Sequence, residues 1–340
     1  MNIAHLLPYG AQFPLKSHHG RYEWALRLAE TQAQQGHTVT VYAGPRMSPD
    51  VTSGIRWVTI PEYAPNKDER NRKLLQQAFG DHTHQIYHSH FDFLHYAMAH
   101  ATNQPIIVTQ HWFPNEAIIA AASTRPKNVI AVPTTHYMKR TDEASGITCS
   151  DVIYHGIDLS LFAFSGAPRT DRLLFIGRIG PHKGVREAIE LVRSNNQQLD
   201  IVGKIEKADE PYWQTLAPYV DGQRIRYLGP KLRAEVPGLF AQAKALLFLP
   251  QHIESFGQTI VESQACGTPV ITNDIGANSE LVNNGVTGWA VSNPAAYAEA
   301  FATVASLDPA NCRQFAEQFD EATMVQAYEH LYAQSLSVVR

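Results

Sequence analysis

Two apolar runs, with a polar loop and a helical stretch between them, constrain this chain more than any other feature. Residues 243–274 read AKALLFLPQHIESFGQTIVESQACGTPVITND. The run at 245–249 is short, unbroken and closed by Pro250, the pattern of a strand covered on both faces in a parallel sheet. A second run starts at Pro269, after a Gly-Thr-Pro break. Between them Ile260, Val261 and Ala265 are spaced to pack one face of a helix over 258–265. The stretch is thus a strand, loop, helix, strand unit, which points to an α/β protein with doubly wound parallel sheets.

In open parallel sheets the ligand crevice lies beyond the carboxyl ends of the strands, so loop 251–257 falls where a ligand would sit. Two acids bracket it: Glu254 in the loop and Glu262 in the helix, with seven residues between. Ser255, Phe256 and Gly257 lead into that helix. Its first amides, those of Gln258 and Thr259, carry the positive end of the helix dipole and suit an anionic group such as a diphosphate. A side chain at Gly257 would hinder close approach of the backbone. A carboxylate only accepts hydrogen bonds and can take two hydroxyls at once, as a vicinal diol on a sugar or ribose offers.

A second motif lies upstream. A strand over 172–177 runs into Arg178-Ile179-Gly180-Pro181-His182-Lys183-Gly184, followed by a helix over 185–192. This is neither a Walker A loop nor a dinucleotide fingerprint. Two cations five residues apart at a strand end can hold a diphosphate without a metal, because Arg forks onto two oxygens and Lys acts as a point charge. A solvated surface loop is the competing reading of the same charges.

The first half alternates in the same way. Strands are expected at 2–7, 37–42, 55–60, 105–109 and 128–133, and helices from Trp24 to Gly36 and over 66–79. Six histidines fall between 82 and 100. His88 and His90 could put two imidazoles on one strand face, but no Asp or Cys completes a ligand set, and polar lining of a crevice is the expectation. His111 stands at the end of the 105–109 strand, where an imidazole can offer a donor to a hydroxyl. Residues 164–170 form a small polar link, which divides the chain into domains at 1–163 and 171–320, with a helix at 321–340.

At 340 residues two domains are expected, and 44% hydrophobic with 18% charged residues gives each an ordinary core. A net charge of −4 gives no reason to expect nucleic acid and argues against strong attraction to anionic lipid, and no apolar stretch approaches the roughly 20 residues that span a bilayer, so membrane contact is expected to be peripheral at most. The mixed-sign run 67–73 reads as a solvated helix face. Cys149, Cys266 and Cys312 are scattered, without a C-x-x-C pair, which fits a reducing compartment and neither a disulfide framework nor structural zinc. The N-terminal residues pass straight into a strand-like run, so a cytoplasmic protein without a signal peptide is expected.

Glu254-Ser255-Phe256-Gly257, then Glu262, then Cys266-Gly267-Thr268-Pro269-Val270 resembles the E-x7-E signature of the retaining family 4 glycosyltransferases. The likeness extends over nearly the whole chain. The opening strand, loop and helix resemble the family's glycine-rich start, although His19 stands where one of two adjacent glycines is usual and Gly20 is kept. Gln110-His111 is similar to the family's T-x-H turn, and His155-Gly156-Ile157-Asp158 to its N-G-I-D run, with His155 for Asn. The resemblance implies the GT-B architecture: two Rossmann-like domains facing each other across a cleft, the acceptor mostly on the first, the donor on the second, and the C-terminal helix crossing back. It implies a nucleotide diphosphate sugar, UDP- or GDP-linked, as donor, a small or carrier-linked glycan acceptor, same-face attack, and no cofactor or metal. Arg178 and Lys183 would meet the donor diphosphate, Glu262 the ribose, Glu254 the sugar, and His111 the sugar from the first domain, with Gly20, Ser255, Phe256, Gly257, Gln258 and Thr259 completing the donor contacts. A non-catalytic nucleotide-sugar sensor, an epimerase and a phosphorylase on the same fold stay open as alternatives.

Overall fold

The computed structural model describes residues 1–10, 20–44, 54–59, 66–92, 94–124 and 126–338. The His19 replacement and the loop around it lie outside these residues. The chain divides into two compact units, one of residues 1–156 with 321–340, the other of residues 157–320.

In the first unit, strands β1 (Asn2–Leu6), β2 (Thr38–Ala43), β3 (Ile55–Thr59), β4 (Ile86–Ser89), β5 (Ile106–Thr109) and β6 (Val129–Val132) form one sheet in the order β3-β2-β1-β4-β5-β6. Every pairing is parallel. Helices α1 (Gly20–Gln34), α2 (Lys67–Gly80), α3 (Leu94–Met98) and α4 (Glu116–Ala122) lie in the crossovers, and α5 (His136–Ala144) follows the last strand. Helices cover both faces of the sheet: Trp24, Leu28 and Ala29 of α1 pack with Ile3, Val39 and Val41, whereas Leu74, Leu75 and Phe79 of α2 pack with Ala4, Tyr42 and Tyr87.

The second unit repeats the plan. Strands β7 (Arg172–Ile176), β8 (Gln198–Val202), β9 (Ile225–Tyr227), β10 (Ala245–Phe248), β11 (Val270–Asn273) and β12 (Gly288–Val291) are ordered β12-β11-β10-β7-β8-β9, again all parallel. Its helices are α6 (Val185–Ser194), α7 (Glu210–Leu216), α8 (Val236–Gln242), α9 (Gln258–Ala265), α10 (Ala296–Thr303) and α11 (Pro309–Ala316). Asp200 pins three strands at once, accepting 2.7 Å bonds from Arg172 on β7 and Arg226 on β9. Helix α12 (Glu321–Val338) belongs to the first unit, where Met324, Val325, Tyr328 and Tyr332 join the core around Trp24.

The break between the units differs from the expected link at 164–170. Residues 157–163 belong to the second unit, because Ile157 donates to the Phe319 carbonyl at 2.8 Å, Phe162 packs on Phe240, and Arg313 binds the Phe162 carbonyl at 3.0 Å. No helix among the described residues is long and apolar enough to cross a membrane.

Candidate functional site

Both sheets reverse their strand order between two neighbouring strands, and ligands in such folds bind at the carboxyl end of that reversal. In the second unit the reversal lies between β7 and β10, the strands that precede the Arg178 to Lys183 loop and the Gln251 to Gly257 loop. The two loops are tied together. Gln251 donates its amide to the His182 carbonyl at 2.9 Å, and His252 Nδ1 donates to the same oxygen at 3.1 Å. Gly184 brings the loops into contact: its φ is +79°, and a Cβ there would lie 1.7 Å from the Leu249 carbonyl oxygen. Only glycine accommodates both conditions.

That framework brings the second expected cation, Lys183, onto the first expected acid, Glu254. Lys183 Nζ donates to Glu254 Oε1 at 2.5 Å, with both side chains partly exposed. His252 Nε2 lies 3.6 Å from the same carboxylate oxygen. The Arg178 guanidinium contacts His182 Nε2 and sits 3.9 Å from Asp209. His182 is held below its usual imidazole value, first by burial and then by Arg178 and Lys183, so at neutral pH it accepts from Arg178 without adding a positive charge.

Helix α9 begins directly after Gly257, which takes φ +94° at the cap. The amides of Gln258 and Thr259 open the helix and have no carbonyl one turn back within it. Ser255 is partly buried beside them. The Phe256 ring, 2% exposed, packs edge-on against Phe319 at 5.8 Å, which makes it part of the core. Glu262 is 4% exposed and accepts from Arg233 Nη2 at 2.7 Å, while the Arg233 guanidinium lies 4.8 Å from the centre of the Phe162 ring. Arg233, His182, His252 and Asp209 are partners that the motif spacing did not reveal. The "PHK" and "QHIE" runs carried the two histidines in plain view, but nothing in either run fixes the turn that makes them meet.

In the first unit, Gly20 opens α1, and His111 follows β5 at 8% exposure. His88 and His90 do not line a crevice: both are fully buried, on the sheet face covered by α1 and α12. They form a row with His5, His111 and His155. His5 Nδ1 lies 3.4 Å from His90 Nε2, His90 Nδ1 lies 3.1 Å from His111 Nε2, and the His111 and His155 rings stack at 5.4 Å. Trp24 sits over the row, 5.4 Å from His111 and 4.5 Å from His155. Burial holds His5 down at about 4 and His155 at about 3, and drives His88, His90 and His111 well below the usual range, so every ring is neutral. Ligand nitrogens of His5, His88 and His90 come within 4.8 Å of one another, close enough to consider a metal. Those nitrogens are already hydrogen-bonded: His88 to Tyr332 and Thr109, His5 to Gln32 and His90. His5 carries no motif in the sequence, since Ala4 and Leu6 flank it in an otherwise ordinary strand.

Comparison with known proteins agrees with this geometry. Residues 162–322 match the family model described as glycosyl transferases group 1, and residues 23–161 match that described as glycosyltransferase family 4. With the two six-stranded sheets, these matches define the class by its fold: the GT-B architecture, found in the glycosyltransferases this chain is similar to. Among curated proteins the chain is similar to D-inositol 3-phosphate glycosyltransferase of Mycobacterium tuberculosis, 32% identical in an alignment of 165 positions that covers 42% of this chain and 32% of the relative. The Mycobacterium bovis protein matches equally, so the chain spans about a third of the length of the curated relatives it matches. Among solved structures, sucrose-phosphate synthase from Thermosynechococcus elongatus superposes with a TM-score of 0.82 at 18% identity, covering 99% of each chain. Anabaena HepE in complex with UDP and glucose gives 0.76 at 16% identity, covering 98% of this chain and 100% of that one.

Proposed function

We propose that the protein is a retaining hexosyltransferase that moves a sugar from a nucleoside diphosphate sugar, UDP-linked by analogy with the donor bound in HepE, to an acceptor hydroxyl. The observation that carries this reading is the Lys183–Glu254 pair at the strand-order reversal, beside the amino end of α9. A donor whose diphosphate met the ammonium and whose sugar hydroxyls met the carboxylate would engage both partners at once. As the glycosidic bond breaks, negative charge grows on the leaving diphosphate, and Lys183, Arg178 and the α9 amides favour that charge more in the transition state than in the ground state. Glu262 would accept the ribose hydroxyls, and His111 would hydrogen-bond the sugar.

Cations and a helix dipole suffice for this electrostatic task, so the reaction proceeds without a metal or resident cofactor. The acceptor is a small or carrier-linked molecule, in keeping with the polyol named in the curated relatives. The reaction is tested by mixing the purified protein with UDP-, GDP- and ADP-sugars in EDTA and following free nucleoside diphosphate and the anomeric configuration of any product. Lys183→Ala is expected to lower turnover by roughly 10²-fold, a typical cost for one transition-state charge partner, with an unchanged unfolding midpoint. Turnover equal to the unsubstituted protein would remove the diphosphate assignment. Tight binding with no nucleotide release from any donor would instead favour a sensor.

A further inference from the structure

The first unit contains an ordered chain of hydrogen bonds that ends on His111. Its far end is Gln32 on α1, whose amide faces two partners. The amide oxygen lies 2.8 Å from His5 Nε2, and the amide nitrogen donates to the Tyr332 hydroxyl at 3.4 Å. An amide oxygen only accepts, so His5 carries its proton on Nε2. A neutral imidazole has one N–H, and burial keeps His5 neutral; its Nδ1 is therefore an acceptor.

The same rule then propagates along the row. His5 Nδ1 faces His90 Nε2 at 3.4 Å, so the His90 proton is on Nε2 and its Nδ1 accepts. His90 Nδ1 faces His111 Nε2 at 3.1 Å, so the His111 proton is on Nε2 as well. The other branch is compatible with this: Tyr332, which accepts from Gln32, lies 2.5 Å from His88 Nδ1, and if its proton goes to that nitrogen, His88 Nε2 donates to Thr109 Oγ1 at 2.7 Å. Thr109 in turn meets the Tyr328 hydroxyl at 2.7 Å. Gln32, His5, His90, His111, His88 and Tyr332 are all buried, so water does not compete for these roles.

We infer that Gln32, His5 and His90 are positioning residues which hold His111 as its Nε2–H tautomer, presenting Nδ1 as a hydrogen-bond acceptor to a substrate hydroxyl. This reverses the donor role expected for His111 from sequence. The substrate clause rests on the glycosyltransferase reading above; the tautomer does not. The register makes the arrangement possible: His5 on β1 pairs with His88 on β4, His90 lies two residues further on, and His111 follows the neighbouring β5. Three adjacent strands thus present imidazoles on one face, and α1 supplies the amide that polarises them.

The test is a long-range proton–nitrogen correlation spectrum of the full chain labelled with nitrogen-15 histidine, with each ring assigned by single substitution. The expected result is a protonated Nε2 and a bare Nδ1 on His5, His90 and His111. In His90→Phe the His111 signals should move toward the mixed tautomers of free imidazole, whereas His90→Asn, which keeps an acceptor oxygen near the Nδ1 position, should restore the pattern. Gln32→Leu acts from the opposite end and serves if His90→Phe does not fold; it should release His5 and His111 together. A proton on His111 Nδ1 in the unsubstituted protein, or an unchanged His111 in both His90→Phe and Gln32→Leu, overturns the inference. In donor turnover, His90→Phe should lower kcat about tenfold with little change in the donor KM, and His90→Asn should recover most of it. A protein that transfers no sugar at all would sink the functional reading and leave the tautomer result standing.

Discussion

At the scale of single residues, Gly184 shows how a loop contact sets the site. Its left-handed backbone and the absent Cβ let the loop after β7 touch the Leu249 carbonyl. Gly184→Ala is expected to cost about 2 kcal/mol or more, since strain and a clash with backbone add, read as a shift in the denaturant midpoint at constant slope. Asp142, buried in α5, gives a pH-dependent case. Burial raises its carboxyl to about 7, against hydrogen bonds from Cys149 and Gln110 that lower it. The folded value lies above the unfolded one, so the native state binds the extra proton between about pH 4 and 7, and stability falls as pH rises through that window. Asp142→Asn should therefore gain roughly 1–3 kcal/mol on the unsubstituted protein at pH 8 and nearly nothing at pH 4. Equal gains at both values would reject the assignment. Among the candidate site residues, sequence spacing singles out Lys183 and Glu254 because each follows a strand-like run, and the structure brings these two together. It did not reveal Arg233, which reaches Glu262 from a segment 29 positions away. Nor did it reveal the depth of His88 and His90, because alternation alone does not say which face of a strand is covered.

At the scale of elements, helix α9 over 258–265 and the final helix over 321–338 stand where periodicity and breakers placed them. The central strands were legible because both faces are covered and their apolar runs are continuous. Short helices such as α3, α4 and α7 were not, since five to seven residues are too few for a 3.6-residue period to show. Helix α12 was legible as a helix, and its load is heavier than its sequence suggests: Met324, Val325, Tyr328 and Tyr332 are buried with Trp24 and Leu28. Tyr328→Ala is expected to destabilise the first unit by about 3–5 kcal/mol, the usual cost of removing a buried aromatic ring. Amide exchange would show it as lost protection across β1, β4 and α1.

At the scale of the molecule, the same strand order appears twice, and each unit has its own apolar core. Leu247→Ala, at the centre of β10, should cost about 2–5 kcal/mol, and the loss of exchange protection should stay within residues 157–320. An equal loss in residues 1–156 would show that the cores do not unfold as separate units. The doubly wound architecture was readable from the repeated strand and helix pattern. The break between units was not, because residues 157–163 are held by long-range partners, Phe319 and Arg313, that no local composition announces.

The excursion of the chain, out of the first unit at Gly156 and back at Glu321, orders events during synthesis. The first sheet leaves the ribosome before the second unit, yet Tyr328 and Tyr332, which roof its imidazole row, come only after all of residues 157–320. The nascent amino-terminal half must wait, with that face uncovered, while the whole of the second unit is made. Chaperone dependence and sensitivity to premature termination should therefore concentrate on residues 1–156.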